Sequence, residues 1–258
     1  MACITLLSDL GLQDASVAIA KGILMQYNPV IPIADISHDV TPFHRGQAAY
    51  LLSAAYNNFP PGTIHVILFN LFAETPPRLV LSEKDGHYFL SPGNGPLPIT
   101  NGEAGNSWMC YELKQENTFI DWLHTAGAII QQLQEKNPAD LGLPSYRLKD
   151  VPGNSLTVNE NEVDCDIIHI DRFENVVINI TMEQFETLRK GRDFRLQFMQ
   201  VEELTEISGN YNDVRTGYKL CRFNSNGYIE IGINRGKAAS LFGLRLGAKN
   251  NDIKIFFE

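Results

Sequence analysis

The stretch "ITLLSDLGLQDASVAIAKG", residues 4–22, decides the fold. Its first four residues are typical of a buried strand, and the segment that follows repeats apolar residues at helical spacing, at Val17, Ala20 and Leu24. Asp14 is placed to cap that helix. The turn between the two elements holds one glycine and two carboxylates, so it lacks the G-x-G-x-x-G pattern and a pyrophosphate ligand is not expected there.

The same alternation of strand and helix continues to about residue 145. We predict strands in "VIPIADIS" (30–37) and "IHVILF" (64–69), a helix opened by Thr41-Pro42 between them, and a hairpin turning at Asp85-Gly86. A further helix is predicted from Phe119 to "KNP". The pattern predicts an α/β domain, residues 1–145, with a largely parallel sheet.

The pattern changes beyond this point. "LPSYRLKDVPGNS" has the composition of a linker, which we assign to residues 146–156. Residues 157–258 then carry mostly strands, interrupted by one short helix around 182–190, and Asn226-Gly227 marks a hairpin. We predict a second domain built as a small β-barrel or sandwich, and the overall fold class as α/β.

Composition limits the possible partners. The 258 residues are 44% apolar and carry a formal net charge of −9, and we find no basic stripe that would bind nucleic acid. No stretch approaches 18 uninterrupted apolar residues, so no membrane span is expected and the cytoplasm is the expected compartment. The four cysteines and six histidines are scattered, so we predict free thiols, no metal site and no cofactor.

Candidate ligand-binding residues follow the predicted parallel strands. Asp9, His38 with Phe43 close behind it, and Asn70 stand where the carboxyl ends of the strands are expected, which is where open α/β sheets bind ligands. A carboxylate there can accept two hydrogen bonds from a vicinal diol such as that of ribose. The alternative is that Asp9 only forms a turn and Asp14 only caps a helix.

Five motifs carry a resemblance to a known family. They are "SDLGLQDASVAIAKGIL…IPIADISHDVTPFHRGQAAYLL", "FPPGTIHV", "LSPGNGPL", "HIDRFENVVINI" and "FNSNGYIEIGINRGKAA". In this order, from residue 5 to near residue 240, they resemble the S-adenosylmethionine hydroxide adenosyltransferase family, which also contains the fluorinase and the chlorinase. The resemblance implies an N-terminal α/β domain joined to a C-terminal β-barrel. It also implies a homotrimer, with each site between one subunit's first domain and a neighbour's second.

The resemblance also implies roles for residues of the first motif. Asp9 matches the family aspartate that binds the ribose hydroxyls, and Phe43 matches an aromatic residue beside the ribose. The alternative for Phe43 is a core aromatic. The implied ligand is S-adenosylmethionine or adenosine, and a carboxylate suits both the diol and the positive sulfonium.

Further ligand contacts are implied in the C-terminal part. Asp171, Phe173 and Asn175 match a segment that holds the methionine part and stacks near the adenine. Tyr211 and Ser225 match residues near the adenine and the carboxylate. The alternative for Asp171 is an aspartate that only initiates a turn. Glu174 replaces the usual glycine of this segment.

The residues around the reacting centre depart from the family pattern. The family reaction is in-line attack at the ribose C5′ carbon, and the hydrolases hold the attacking water with an Asp–Arg–His set. In "NLFAETPPR", residues 70–78, Asn70 stands at the aspartate and Pro77 at the first arginine, while Arg78 matches the second. In "TFIDWLHT", Ile120 falls at the histidine.

Asp121 falls where a fluorinase has its halide-binding serine. A carboxylate would repel halide, so halogenation is not expected, and the absence of a longer loop after the third strand also favours the hydrolase branch. Arg78 could take over the lost role, and Glu74, Asp121 or His124 could supply a new base. The alternative is that Glu74 and Asp121 are solvated charges on a loop or at the start of a helix.

Three functions therefore remain open from the sequence. The protein could hydrolyse S-adenosylmethionine to adenosine and methionine with a rearranged set that includes Asn70, Arg78 and Asp121. It could instead bind the adenosyl ligand without turnover, or it could be a scaffold that forms the trimer and binds no such ligand.

Overall fold

A computed structural model describes residues 2–97, 106–147, 156–199, 201–248 and 251–258. The chain divides into two compact units, Met1–Gly153 and Asn154–Glu258. Residues 148–155, which form most of the linker expected at 146–156, lie outside the described residues, so that linker stays a prediction.

The first unit is built on a mixed six-stranded sheet with the strand order β2-β1-β3-β5-β4-β6. Strands β2, β1, β3 and β5 run parallel, and β4 is antiparallel to β5 and β6. The largely parallel sheet and the hairpin at Asp85-Gly86 are thereby confirmed. The strands are β1 (Ile4–Ser8), β2 (Ile33–Ser37), β3 (Ile64–Leu68), β4 (Arg78–Lys84), β5 (His87–Pro92) and β6 (Asn106–Glu112).

Three α-helices of the first unit lie wholly within the described residues, namely α1 (Ser16–Tyr27), α2 (Arg45–Tyr56) and α3 (Phe119–Gln132). They pack on both faces of the sheet, which explains why its strands are apolar on both faces. Leu6 of β1 belongs to the apolar cluster that includes α1 and α3, and its neighbour Leu7 belongs to the cluster that includes α2.

Two predicted helix starts differ from the structure. The helix expected from Thr41-Pro42 begins only at Arg45, because Phe43 adopts a left-handed backbone with φ +65°, which a right-handed helix cannot contain. His44 is the N-cap, and its Nδ1 accepts the Gln47 N–H at 3.1 Å. Asp14 accepts the Ser16 N–H at 2.8 Å, but the N-cap position of α1 is Ala15.

The second unit consists of two antiparallel sheets around one apolar core, with the orders β13-β14-β10-β9 and β12-β11-β15-β8-β7. The predominance of strands that was predicted for the C-terminal part is thereby confirmed. Strands and helices are β7 (Thr157–Val158), β8 (Glu162–Cys165), β9 (Ile167–Ile170), β10 (Val176–Thr181), α4 (Met182–Arg189), β11 (Phe194–Phe198), β12 (Glu202–Leu204), β13 (Lys219–Phe223), β14 (Tyr228–Ile233), α5 (Ala238–Phe242) and β15 (Ile253–Phe257).

All four cysteines are free, and three of them are buried. Burial raises the pKa of the Cys110 and Cys221 thiols to about 12, so both remain protonated at neutral pH. Within the described residues, no helix has the length and apolar character needed to cross a membrane.

Candidate functional site

Asp9 and Asn70 meet at the carboxyl edge of the parallel sheet. Asp9 directly follows β1, Asn70 lies two residues after the neighbouring β3, and the Asn70 backbone N–H donates to Asp9 Oδ2 at 3.1 Å. Partial burial raises the pKa of Asp9, against the lowering effect of backbone N–H groups of Asn70 and of Asp9 itself. A carboxylate offers about four acceptor positions, so these bonds leave capacity for a ligand hydroxyl.

Exposed apolar side chains follow the neighbouring strands at this edge. Phe43, six residues after β2, is 79% exposed, and its interpretation as a core aromatic is wrong. Phe72, after β3, is also exposed, and both phenylalanines have φ +65°. A left-handed backbone costs a residue other than glycine about 1–2 kcal/mol, so the fold holds two aromatic rings outward at an energetic cost.

Arg78 is held by two carboxylates in the first unit. Its guanidinium pairs with Glu74 and, at 3.0 Å, with Glu112, and it lies 5.9 Å from the centre of the Tyr146 ring. The side chains of Arg78 and Glu74 are only 18% and 15% exposed. The positive charge of Arg78 is therefore already balanced within the protein.

Asp121 belongs to the N-terminal capping box of α3. Its Oδ2 accepts both the backbone N–H and the hydroxyl of Thr118, at 2.7 and 2.8 Å, and its own N–H donates to Thr118 Oγ1. The backbone hydrogen bond from Thr118 is the main reason why the pKa of Asp121 is lowered. A lowered pKa makes this carboxylate a weak proton acceptor. His124 is on the same helix, and its Nδ1 is 3.1 Å from the Tyr27 hydroxyl oxygen.

In the second unit, Asp171 organises the turn between β9 and β10. Its Oδ1 accepts the N–H groups of Phe173 and Asn175 at 2.9 and 2.8 Å, and its Oδ2 accepts Asn175 Nδ2 at 2.9 Å. Asp171 is thus an initiator of the turn, and its predicted ligand contact would have to share these oxygens. The turn presents Phe173 with 74% of its surface exposed.

Glu174 occupies a left-handed position in the same turn, with φ +64°. Glycine adopts this conformation without penalty, which accounts for the glycine usual in the family motif. The Glu174 carboxylate bonds Lys237 Nζ at 2.8 Å and the Ser240 N–H at 3.0 Å. These hydrogen bonds lower the pKa of Glu174 to about 2, and the bond from Lys237 has the largest effect. The contacts tie the turn to the start of α5 and offset part of the strain.

A hydrogen-bond network joins three of the predicted residues. Asn175 Nδ2 bonds both Asp171 and, at 3.2 Å, the Tyr211 hydroxyl, which in turn donates to Glu230. Glu230 is only 6% exposed, and burial raises its pKa. Burial, followed by the bond to Glu230, raises the pKa of Tyr211 to about 12. The predicted residues Asp171, Asn175 and Tyr211 therefore lie together.

Glu230 and its neighbour Arg222 were missed by the sequence analysis. Arg222 of β13 lies opposite Glu230 of β14 in the antiparallel register, and its guanidinium lies 5.0 Å from the Tyr211 ring centre. The available signal was a glutamate within "YIEIGI", because a charged residue in a strand of isoleucines needs a buried partner.

Ser225 lies apart from this network. It is an exposed residue of the β13–β14 turn. The Met182 N–H donates to Gly227 O at 2.7 Å, and this bond holds the turn at the carboxyl end of β10. Asn175 precedes the other end of that six-residue strand, about 20 Å away at 3.3 Å per residue. Within this unit, the structure does not bring Ser225 to Asp171.

A cleft of about 860 Å³ lies beside Phe173 in the second unit. The residues that line it include the apolar Ile233 and Leu241 and three cationic side chains. The cations are Arg172, Arg235 and Lys237. An exposed aromatic face next to an apolar wall is suited to a planar ring.

The fold and these residues define a class of protein with an α/β unit, whose first strand ends at a carboxylate, followed by an antiparallel β unit. Models of the SAM hydroxide adenosyltransferase N-terminal and C-terminal domains match residues 4–132 and 165–250. The chain therefore belongs to the SAM hydroxide adenosyltransferase family.

Individual relatives match over nearly the whole chain. An (R)-S-adenosyl-L-methionine hydrolase of Methanocaldococcus jannaschii is 26% identical, over 93% of this chain and 92% of its own length. A fluorinase of Nocardia brasiliensis is 24% identical, over 95% and 94%. The crystal structure of an uncharacterized conserved protein from Thermotoga maritima superimposes with a TM-score of 0.76 at 26% identity, covering 99% of this chain and all of the other.

Proposed function

We propose that this protein binds an adenosyl ligand, S-adenosylmethionine or adenosine, and that Asp9 holds the ribose diol. The observation that carries the proposal is the half-buried Asp9 carboxylate at the carboxyl end of the first parallel strand. Open α/β sheets bind ligands at this edge. The family membership and the name of the Methanocaldococcus relative supply the ligand.

Further aromatic and polar side chains would contact the ligand in this proposal. Phe43 presents an exposed ring on the sheet edge of Asp9, suited to cover one face of the ribose. Phe173 presents a ring beside the cleft, suited to the adenine. Asp171 and Asn175, with Tyr211, form a shared polar network, whereas Ser225 rests on the family resemblance alone.

We propose that turnover of S-adenosylmethionine is slow. In the family reaction water forms the C5′–O bond, the C5′–S bond breaks, neutral methionine leaves, and the proton of the water passes to a base. Asn70 can orient a water molecule but cannot accept that proton, and the lowered pKa of Asp121 makes it a weak acceptor. A positioned base contributes about 10²–10⁴-fold, so we expect hydrolysis to be slower by that factor than with a complete set.

A second candidate is a hydrolase that uses Glu74 as the base. Glu74 lies four residues after Asn70, is largely buried and pairs with Arg78, so a carboxylate of the β3–β4 loop and an arginine at the start of β4 lie side by side. In this version Arg78 orients Glu74, and Asn70 orients the attacking water. The ion pair is the specific observation that favours this candidate over one based on Asp121.

We further propose a cytoplasmic homotrimer in which sites are completed by neighbouring subunits. The exposed Phe43 and Phe173 support an assembly because large exposed apolar side chains are typical of surfaces that a partner or a ligand covers. Sedimentation equilibrium would test this directly: a mass of three chains is expected, and a monomer that binds adenosine in full would contradict it.

Calorimetry with S-adenosylmethionine and adenosine, combined with chromatography of the products, separates the candidates. Binding without adenosine release above the protein-free blank supports the binding protein. Adenosine release that is lost in Glu74→Gln and kept in Asp121→Asn supports the second candidate. The reverse result would support Asp121 as the base. Absence of binding by either compound would leave only a scaffold.

A further inference from the structure

A chain of polar side chains begins at Ser8, the residue before Asp9, and its first two members, Ser8 and His38, are buried. The Ser8 hydroxyl is 2.7 Å from His38 Nδ1, and His38 Nε2 is 3.1 Å from Asp35 Oδ1. The other Asp35 oxygen accepts Lys21 Nζ at 2.6 Å. Ser8 and His38 are 0% and 5% exposed, so their polar atoms rely on partners within the protein.

The order serine, histidine, aspartate resembles a nucleophilic triad, but the geometry favours another role. A nucleophile must reach the substrate, and the Ser8 side chain has no exposed surface. His38 Nε2 makes no hydrogen bond of good geometry, but the negative charge of the Asp35 carboxylate 3.1 Å away favours the tautomer with its proton on that nitrogen, which leaves Nδ1 to accept the Ser8 hydroxyl proton. The chain is therefore suited to hold Ser8 in one orientation.

Ser8 and His38 fix the backbone on both sides of Asp9. Ser8 O accepts the Val40 N–H at 3.3 Å. The Leu10 N–H donates to Ser8 Oγ at 3.4 Å, so this hydrogen bond bridges Asp9. The Gly11 N–H donates to His38 O at 2.8 Å. Backbone N–H groups near Asp9 are thus hydrogen-bonded to Ser8 or His38, twice through their main-chain oxygens and once through the Ser8 hydroxyl.

We infer that His38 is a positioning residue for Asp9, acting through Ser8 to set the direction in which the Asp9 carboxylate meets a ligand diol. His38 touches no ligand in this role. The part that concerns the ligand rests on the proposed function. The part that concerns the Asp9–Asn70 hydrogen bond rests on the fold alone, and it can be measured without any ligand.

Two substitutions separate the two sides of the imidazole. Asparagine places its amide near the Nδ1 position, so His38→Asn preserves a partner for Ser8, whereas His38→Gln reaches toward Asp35 and leaves Ser8 without one. Ser8→Ala removes the hydroxyl itself. We expect His38→Asn to behave as the wild type and the other two variants to lose the positioning, with circular dichroism confirming that all three are folded.

The ligand-free measurement is hydrogen exchange of the Asn70 amide, whose N–H is bonded to Asp9. His38→Gln and Ser8→Ala should speed its exchange by about tenfold, relative to the amides of β3, while His38→Asn leaves it unchanged. Unchanged protection of Asn70 in His38→Gln and Ser8→Ala would overturn the inference whether or not a ligand binds.

The ligand measurement is the ratio of the Kd values for 2′-deoxyadenosine and adenosine. In the wild type this ratio should be about ten or more, because 2′-deoxyadenosine loses a hydrogen bond to a charged group. If His38 and Ser8 position Asp9 for the diol, the ratio falls toward one in His38→Gln and Ser8→Ala. General damage would weaken both ligands equally and keep the ratio, which would overturn the inference. A wild type without preference for adenosine would contradict the proposed function instead.

Discussion

The backbone N–H of Asn70 donates a hydrogen bond to the carboxylate of Asp9 across 3.1 Å, joining the segments that follow β3 and β1. This bond orients the carboxylate, but it also draws on the acceptor capacity that a ligand would use. Asp9 therefore stabilises the fold and is also the side chain proposed to bind the ligand. Experiments on Asp9 must separate its effect on stability from its effect on binding.

The pH dependence of adenosine affinity tests the raised pKa of Asp9. The ionised carboxylate accepts hydroxyl hydrogen bonds, so affinity should fall as the pH is lowered, beginning at a higher pH than for an ordinary aspartate. Stability changes in the opposite sense, because the folded state binds this proton more readily and Asp9 favours folding as the pH falls through its raised pKa. Titration calorimetry across mildly acidic pH would detect the loss. A flat affinity would contradict this role.

Acid stability should depend on His65, which is buried and lies 2.7 Å from Thr5 Oγ1 and 3.2 Å from His87. Burial, and then the neighbouring His87, lower the pKa of His65 to about 3. The unfolded chain takes up a proton below its ordinary pKa near 6.5, so the free energy of unfolding should decline as the pH falls from about 6.5 toward 3.

The variant His65→Phe removes this proton uptake. It loses the bond to Thr5, which costs about 1 kcal/mol at neutral pH, but its stability should change less between pH 7 and pH 5 than that of the wild type. Urea denaturation at both pH values provides the measurement, with the partly exposed His124→Phe as a control. Equal pH dependence in wild type and His65→Phe would show that His65 does not contribute.

Two glycines in helices should respond oppositely to alanine. A Cβ at Gly127 of α3 would lie 2.4 Å from the Tyr27 ring of α1, so Gly127→Ala should destabilise by about 1–3 kcal/mol. A Cβ at Gly22 of α1 would meet no atom within 4 Å, and Gly22→Ala should stabilise by about 0.5–1 kcal/mol. Urea denaturation compares them, and a neutral Gly127→Ala would show that α1 and α3 are less closely packed.

The Glu174 turn predicts a difference between glycine and alanine. Both substitutions remove the contacts to Lys237 and Ser240, but alanine also keeps the strain of φ +64°. Glu174→Ala should therefore be less stable than Glu174→Gly by about 1 kcal/mol. Thermal unfolding of the two proteins measures this difference, and equal stability would indicate that the turn adopts another conformation in solution.

The sequence predicted the architecture because local patterns report directly on it. Alternating strands and helices, the Asp85-Gly86 hairpin and the change of pattern near residue 145 depend on neighbouring residues. The start of α2 was predicted wrongly because Thr41-Pro42 is a normal opening, and nothing nearby shows that Phe43 adopts a left-handed backbone.

The candidate site was predictable only in part. Asp9 could be placed because it follows the first strand, but the partners that surround it come from other strands. Ser8 meets His38 thirty residues later, and Tyr211 meets Glu230 across a turn and a hairpin. Such contacts depend on sheet register, which a single sequence does not reveal. The contacts of Asp121 with Thr118 in the capping box are local, but the sequence analysis weighed Asp121 only as a base or as a solvated charge and did not predict them.

Calorimetric titration of adenosine into the wild type and Asp9→Asn tests most directly whether Asp9 holds the ribose. Asparagine keeps an acceptor for the Asn70 N–H but loses the charge, and Asp140→Asn serves as a carboxylate control in the same unit. We predict saturable binding to the wild type and the control, weakened at least tenfold in Asp9→Asn. Equal affinity of Asp9→Asn and the wild type for adenosine would contradict the proposed role of Asp9.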